Sequence, residues 1–257
     1  MANLQHIHQL HKQYNGKSVL VKSLDVSLNE AFDSANIKKG FDNNALASLG
    51  KDYSNYFDLG LEADVALLFI DVSNFSTRYG ALRGQEVANF FHQYYDLIIP
   101  IIYKYNGEVE KIIGDGIIAV FGPPFSKNNI SQNIINAYNC AKEVIQLTYG
   151  NKFQSKVALH AGVINYFKNK SGLYSEFTMV GKPLTELFRL ESIAEDGTIC
   201  YFGNSLVSGL FLKTVLKNAL ENLDSKRKVK WSHGITDFAN IKGIDYNKLV
   251  TVSLNEL

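Results

Sequence analysis

The sequence predicts an α/β fold built on one mixed sheet, and three observations carry that expectation. Residues 62–72 form an apolar run with its polar members towards the ends, the pattern of a central strand covered on both faces. Glu108 to Ile113, Gly114-Asp115-Gly116 and Ile117 to Phe121 read as strand, tight turn and strand, with the Asp-Gly pair as a strong hairpin signal. Amphipathic helical stretches alternate with these strands, which calls for helices layered on a sheet.

Residues 1–58 are polar, with scattered apolar positions and glycines at Gly16, Gly40 and Gly50. A short strand or helix around Val19 to Leu28 is conceivable there, and the stretch reads as an N-terminal extension to a domain spanning 59–257. After the first strand, Val72-Ser73-Asn74-Phe75-Ser76 is a run of mostly small residues suited to starting a helix. From Gly84 to Tyr105, Val87, Phe90, Phe91, Tyr94, Leu97, Ile98, Ile101 and Ile102 recur at helical spacing. Pro100 should kink that helix or open its last turns, and Asn106-Gly107 ends it. The hairpin follows and stops at Gly122-Pro123-Pro124. Ile130 to Tyr149 is a second amphipathic helix, Val157 to Ile164 and Phe177 to Val180 are strands, and Leu184 to Ala194 is a helix carrying Arg189. Ile241-Lys242-Gly243 and Leu249 to Leu254 read as two final strands.

The composition, 46% hydrophobic and 20% charged over 257 residues, is that of an ordinary globular protein able to bury a substantial core. A net charge of +1 gives no reason to expect attraction to nucleic acid or anionic lipid. The two cysteines, Cys140 and Cys200, lack metal-ligand spacing and read as buried free thiols of a reducing compartment. No apolar stretch approaches the roughly 20 residues needed to cross a bilayer. Met1 to Asn15 is rich in His and Gln rather than being an apolar signal core, so a cytoplasmic location is expected.

Asp71 ends the first apolar strand, and Asp115 lies between two glycines at the tip of the hairpin. Taken singly, the first would serve as a helix N-cap and the second as a turn residue. Taken together, they are two hard oxygen ligands on rigid strands, suited to a pair of Mg²⁺ or Mn²⁺ ions whose other positions go to phosphate and water. The helix start beside Asp71 offers backbone N–H groups to a triphosphate, so metal-dependent chemistry on a nucleotide is the first reading.

Five motifs in order resemble the catalytic domain of class III adenylate and guanylate cyclases over residues 62–254. They are Phe69-Ile70-Asp71-Val72-Ser73-Asn74-Phe75-Ser76, Gly107 to Lys111 with Gly114-Asp115-Gly116, Val157-Ala158-Leu159-His160-Ala161-Gly162, Thr178 to Glu191, and Ile241-Lys242-Gly243. The resemblance implies a ferredoxin-like mixed sheet with flanking helices. It implies that an NTP is converted to a 3′,5′-cyclic NMP and pyrophosphate with two divalent ions, Mg or Mn, at Asp71, Val72 and Asp115. Val72, Ser73, Asn74, Phe75 and Ser76 would bind the substrate phosphates and nucleotide, although Phe75 alone reads as core. Arg189 would stabilise charge on the α-phosphate, and Lys242 would touch the phosphates; taken alone, each is an ordinary exposed cation. Thr185 stands where the family has Asn, one turn before Arg189 and on the same helix face.

Lys111 matches the base-reading lysine of adenylate cyclases, and Thr178 falls where many of them carry Asp or Thr. The Glu and Cys typical of guanylate cyclases are absent, which disfavours GTP. A lysine donor and a hydroxyl serve ATP, CTP or UTP. The family assembles as a head-to-tail homodimer in which aspartates and arginine of one site come from opposite subunits. The stand-alone build resembles the pyrimidine cyclases of bacterial anti-phage systems, so cCMP or cUMP, read by a separate cyclic-nucleotide effector, is the expected product. Adenylate cyclase is the alternative, and an inactive cyclase-like nucleotide-binding module is the alternative of another class. Neither nucleic acid nor a membrane is expected as a partner.

Overall fold

Strand β1 (Glu62–Val72) is the centre of the molecule, and its two faces sort the helices. Ala66, Leu68, Ile70 and Val72 pack with residues of α2 (Gln85–Lys104) and α3 (Ile130–Thr148). Val65, Leu67 and Phe69 pack on the other side with Leu187 and Leu190 of α4 (Lys182–Glu191). Alternate residues thus enter two cores, which is why the run reads as continuously apolar. Each fully buried aliphatic side chain of this strand contributes about 1.5–3 kcal/mol. The computed structural model describes residues 55–57, 59–170, 175–211, 223–224, 229–239 and 241–256. Apart from residues 55–57, the expected extension 1–58, with the piece around Val19 to Leu28, lies outside the described residues.

The remaining elements are α1 (Phe75–Tyr79), β2 (Glu108–Ile113), β3 (Gly116–Phe121), β4 (Ser155–Lys170), β5 (Ser175–Val180), β6 (Thr198–Phe202), β7 (Leu223–Asp224), β8 (Val229–Asp237) and β9 (Lys248–Glu256). The strands form one mixed sheet in the order β2-β3-β1-β4-β6-β9-β8-β7, with β5 pairing the outer part of β4. The pairing of β4 with β6 is parallel and the rest is antiparallel. The expected mixed sheet with flanking helices is therefore the fold observed.

Helix α2 runs through Pro100, whose missing N–H falls opposite the carbonyl of the exposed Asp96. Asn129 caps α3, its side chain accepting from the Gln132 N–H at 2.9 Å. Ile241-Lys242-Gly243, expected as a strand, is instead a turn, with Gly243 at φ +82°. The hairpin turn also differs from expectation. Its central pair is Gly114-Asp115, with Gly114 at φ +61°, while Gly116 already belongs to β3 and pairs Ile113.

Candidate functional site

Asp71 reaches the site as the penultimate residue of β1, and Asp115 reaches it through the neighbouring hairpin turn. Gly116 is required there by space, because a Cβ would stand 2.1 Å from the Phe69 ring. The turn is held from α2, where the Tyr95 hydroxyl donates to the Gly114 carbonyl at 2.8 Å. The two carboxylates feel one another. Burial first, then the charge of Asp115, push the Asp71 carboxyl up to about 7, with Glu191 adding to the rise and Lys156 opposing it.

Lys156 is a site residue that motif reasoning missed. It is the direct cross-strand partner of Asp71 on β4, and its Nζ lies 3.6 Å from Asp71 Oδ2 and 2.7 Å from Glu191 Oε1. Burial works against its charge, yet the bond to Glu191 and the two carboxylates outweigh it and raise its pKa above the ordinary lysine range. The available signal was register. A lysine opening an apolar strand that pairs antiparallel with β1 falls beside the aspartate.

The expected phosphate-binding run is only partly available. The Ser73 N–H is committed to the Gln154 carbonyl at 2.8 Å, and the residue is buried, which removes that amide from the expected set. Asn74 adopts φ +54° at the start of α1 and donates through Nδ2 to Asp196. Phe75 is half-buried against Tyr79, Phe90 and Phe91, with centroids 4.8–5.6 Å apart, so it sits in an aromatic cluster as well as beside the site. Ser76 is exposed in the first turn of α1, where backbone N–H groups lack intrahelical partners.

Of the candidate base-reading residues, Lys111 lies at a bulge in β2 and Thr178 on β5. The register of β2 shifts between Val109 and Lys111, and Thr178 Oγ1 of β5 lies 3.5 Å from Glu110 Oε1. Lys111 and Thr178 are half-buried. Thr185 and Arg189 are both exposed on α4, and Lys242 is exposed in its turn.

Among the described residues no group of three or more His, Cys, Asp or Glu could hold a metal ion. The donor set is the pair of carboxylates, and its chemistry fits hard dications that keep sites open for phosphate and water. A dication would reverse the mutual repulsion that now raises the Asp71 pKa. The acidic pair, the adjacent lysine and Glu191 thus form one charged cluster at the ends of β1, β4 and α4.

No family model matches the chain. An uncharacterised protein of Mycobacterium tuberculosis is 23% identical over 201 residues, covering 77% of this chain and 32% of that protein. Adenylate cyclase 1 of Rhizobium meliloti is 21% identical over 145 residues, covering 52% of this chain and 21% of its own length. The chain thus spans about a third or less of the curated relatives it matches. Among solved structures, the guanylate cyclase domain of RhGC from Catenaria anguillulae in complex with GTP superposes with a TM-score of 0.60 at 16% identity, covering 76% of this chain and all of that domain (100%). The adenylyl cyclase CyaB from P. aeruginosa gives 0.57 at 16% identity, covering 75% of this chain and 94% of that one. These likenesses establish the fold, that of adenylyl and guanylyl cyclase catalytic domains.

Proposed function

We propose that this chain is a nucleotidyl cyclase, converting a nucleoside triphosphate to its 3′,5′-cyclic monophosphate and pyrophosphate. The observation that carries the reading is the convergence of Asp71 and Asp115 beside Lys156, in a fold shared with cyclase domains. Asp71, Asp115 and the Val72 backbone carbonyl would hold two Mg²⁺ or Mn²⁺ ions, which supply a lowered pKa for the ribose 3′-hydroxyl and charge neutralisation on the phosphates. Asn74, Phe75 and Ser76 remain the nearest residues of the phosphate-binding run, without the Ser73 amide. Arg189 offers its donor fork to the α-phosphate as the 3′-oxygen bonds to phosphorus and the bond to pyrophosphate breaks. Thr185, on the same face of α4, supplies a single hydroxyl to hold the ribose or phosphate. Lys242 meets the phosphates from its turn. Lys156 offsets the acidic cluster before the ions arrive.

In a head-to-tail homodimer, Arg189 and Thr185 act on the substrate held at the partner's aspartates. The exposed apolar residues Val163, Phe167 and Val180 on β4 and β5 suit a subunit contact of this kind.

Lys111 and Thr178 read the base, and the substrate is a pyrimidine triphosphate, CTP or UTP. The Glu110 acceptor beside the Lys111 donor suits the amine and ring-nitrogen edge of cytosine. Adenine carries the same edge, and the Rhizobium meliloti relative is an adenylate cyclase, so ATP is the second reading. The product serves as a second messenger for a separate effector, in the manner of bacterial anti-phage signalling.

The test is incubation of purified protein with each of the four NTPs and Mn²⁺, followed by separation of cyclic products. A kcat/KM for CTP or UTP at least tenfold above that for ATP is expected, since a site built on specific hydrogen bonds rejects mismatched bases by orders of magnitude. ATP as the preferred substrate leaves an adenylate cyclase. Nucleotide binding without turnover leaves the inactive module, for which Thr185 in place of the family's Asn is the argument.

A further inference from the structure

A buried acid–imidazole pair lies beneath the helix that carries Arg189, and nothing in the proposed chemistry uses it. On α4 the inward face consists of Pro183, Leu187, Leu190 and Glu186, the last only 4% exposed. His160 of β4, 1% exposed, donates from Nε2 to Glu186 Oε2 at 2.9 Å, while its buried Nδ1 has no partner. The ring also stands edge-on to Phe202 and to Tyr246, with centroids 5.6 and 5.8 Å away, and Phe202 and Tyr246 stack at 4.7 Å. Tyr246 lies four residues beyond Lys242. The pair thus stands where α4, the central sheet and the Lys242 segment meet.

An aliphatic side chain at position 186 would match its neighbours and avoid desolvating a carboxylate. Replacing a buried polar or ionic pair with apolar residues is often neutral or stabilising. The orphaned Nδ1 adds to the cost of keeping the pair. Position 186 follows Thr185 and precedes Arg189 by three residues, so the rotation of α4 about its own axis sets where both exposed side chains point. Apolar contacts tolerate such a rotation, whereas a directional 2.9 Å bond to a rigid strand does not. Lys182, 3.5 Å from Glu186 Oε1, also bonds Asp245, but that arm is exposed and weak, so the buried bond and the Tyr246 contact carry the coupling.

We propose that Glu186, through His160, is a positioning residue that fixes α4 and the Lys242 segment as one unit, and so sets Arg189 and Lys242 together. The proposal rests on the cyclase reading for its catalytic consequence and on geometry alone for its structural one.

The test compares the paired substitution Glu186→Leu with His160→Leu, called the Leu variant, and Glu186→Gln in the full chain, measuring melting temperature, kcat and KM with the preferred NTP, and amide hydrogen exchange. The Leu variant, which removes both members of the pair and leaves no buried polar atom unpaired, should keep or raise the melting temperature and hold KM within threefold. Its kcat should fall at least tenfold, and exchange in residues 241–247 should rise. Glu186→Gln leaves no cavity and still accepts from His160, so its kcat should stay within threefold of the original chain. Unchanged kcat and exchange in the Leu variant overturn the proposal. So does a kcat loss that merely follows a lowered melting temperature, or a tenfold loss in the Gln variant. If the unaltered protein cyclises none of the four NTPs, the cyclase reading fails separately. Exchange in residues 241–247 then decides the coupling by itself: a rise in the Leu variant upholds it and no change overturns it.

Discussion

Burial and the charges of Asp115 and Glu191 push the Asp71 carboxyl up to about 7, against the pull of Lys156. Between about pH 4 and 7 the metal-free folded protein therefore holds a proton that an unfolded aspartate has already released. The stability this proton confers is lost as pH rises through that window. Asp71→Asn removes the ionisation, so in EDTA the variant should melt higher than the unaltered protein at pH 8 and show a flatter pH dependence. Parallel melting curves for the two proteins would contradict this. Mg²⁺ or Mn²⁺ at pH 8 should raise the melting temperature of the unaltered protein but hardly that of the variant. Asp71→Ala or Asp115→Ala should abolish product while preserving the fold, because one carboxylate cannot hold both ions; activity within tenfold of normal in either would rule out the two-ion assignment. Lys156→Ala tests the residue that motif reasoning missed. It removes the partner of both Asp71 and Glu191, and kcat/KM should fall at least tenfold.

The turn that carries Asp115 shows how far an element was legible. Gly-Asp-Gly announced a hairpin, but its two glycines serve different needs, one a left-handed turn position and the other clearance for Phe69. Gly116→Ala should therefore cost about 1–3 kcal/mol, as overpacking does, and Gly114→Ala about 1–2 kcal/mol, as a left-handed alanine does. Urea unfolding of the two variants measures this, and a neutral Gly116→Ala would refute the Phe69 contact. Strand β1 and helices α2 and α3 were readable because burial on one or two faces writes a period into the residues themselves. Strand β6 is a five-residue apolar run, too short to carry a period. Strand β8, Val-Lys-Trp-Ser-His-Gly-Ile-Thr-Asp, shows little alternation and owes its form to pairing along its whole length with β9. The Ile241-Lys242-Gly243 turn was mistaken for a strand for the converse reason, since no neighbour pairs it and Gly243 takes φ +82°.

At the scale of the whole molecule, the sequence exposed the site residue by residue but not who meets whom. Asp71, Asp115 and Arg189 were legible from motifs, whereas Lys156 became visible only through the β1–β4 register and Glu186 only through packing of α4 on β4. One chain carries both an acidic half, at the ends of β1 and the hairpin, and a basic half, on α4 and the Lys242 turn. A head-to-tail dimer of such chains would have two equivalent sites, each taking its acidic half from one subunit and its basic half from the other. Mixing Asp71→Ala with Arg189→Ala, each inactive alone, should then restore activity. Each mixed dimer has one site bearing both lesions and one bearing neither, so with random exchange half of the dimers carry a single intact site. Recovery should approach a quarter of the activity of the unaltered protein at equal total concentration. Turnover should also rise with subunit concentration before it levels, because an isolated subunit has no complete site. No recovery, with mixed dimers confirmed by differential tagging, would place the aspartates and Arg189 of a site in one chain.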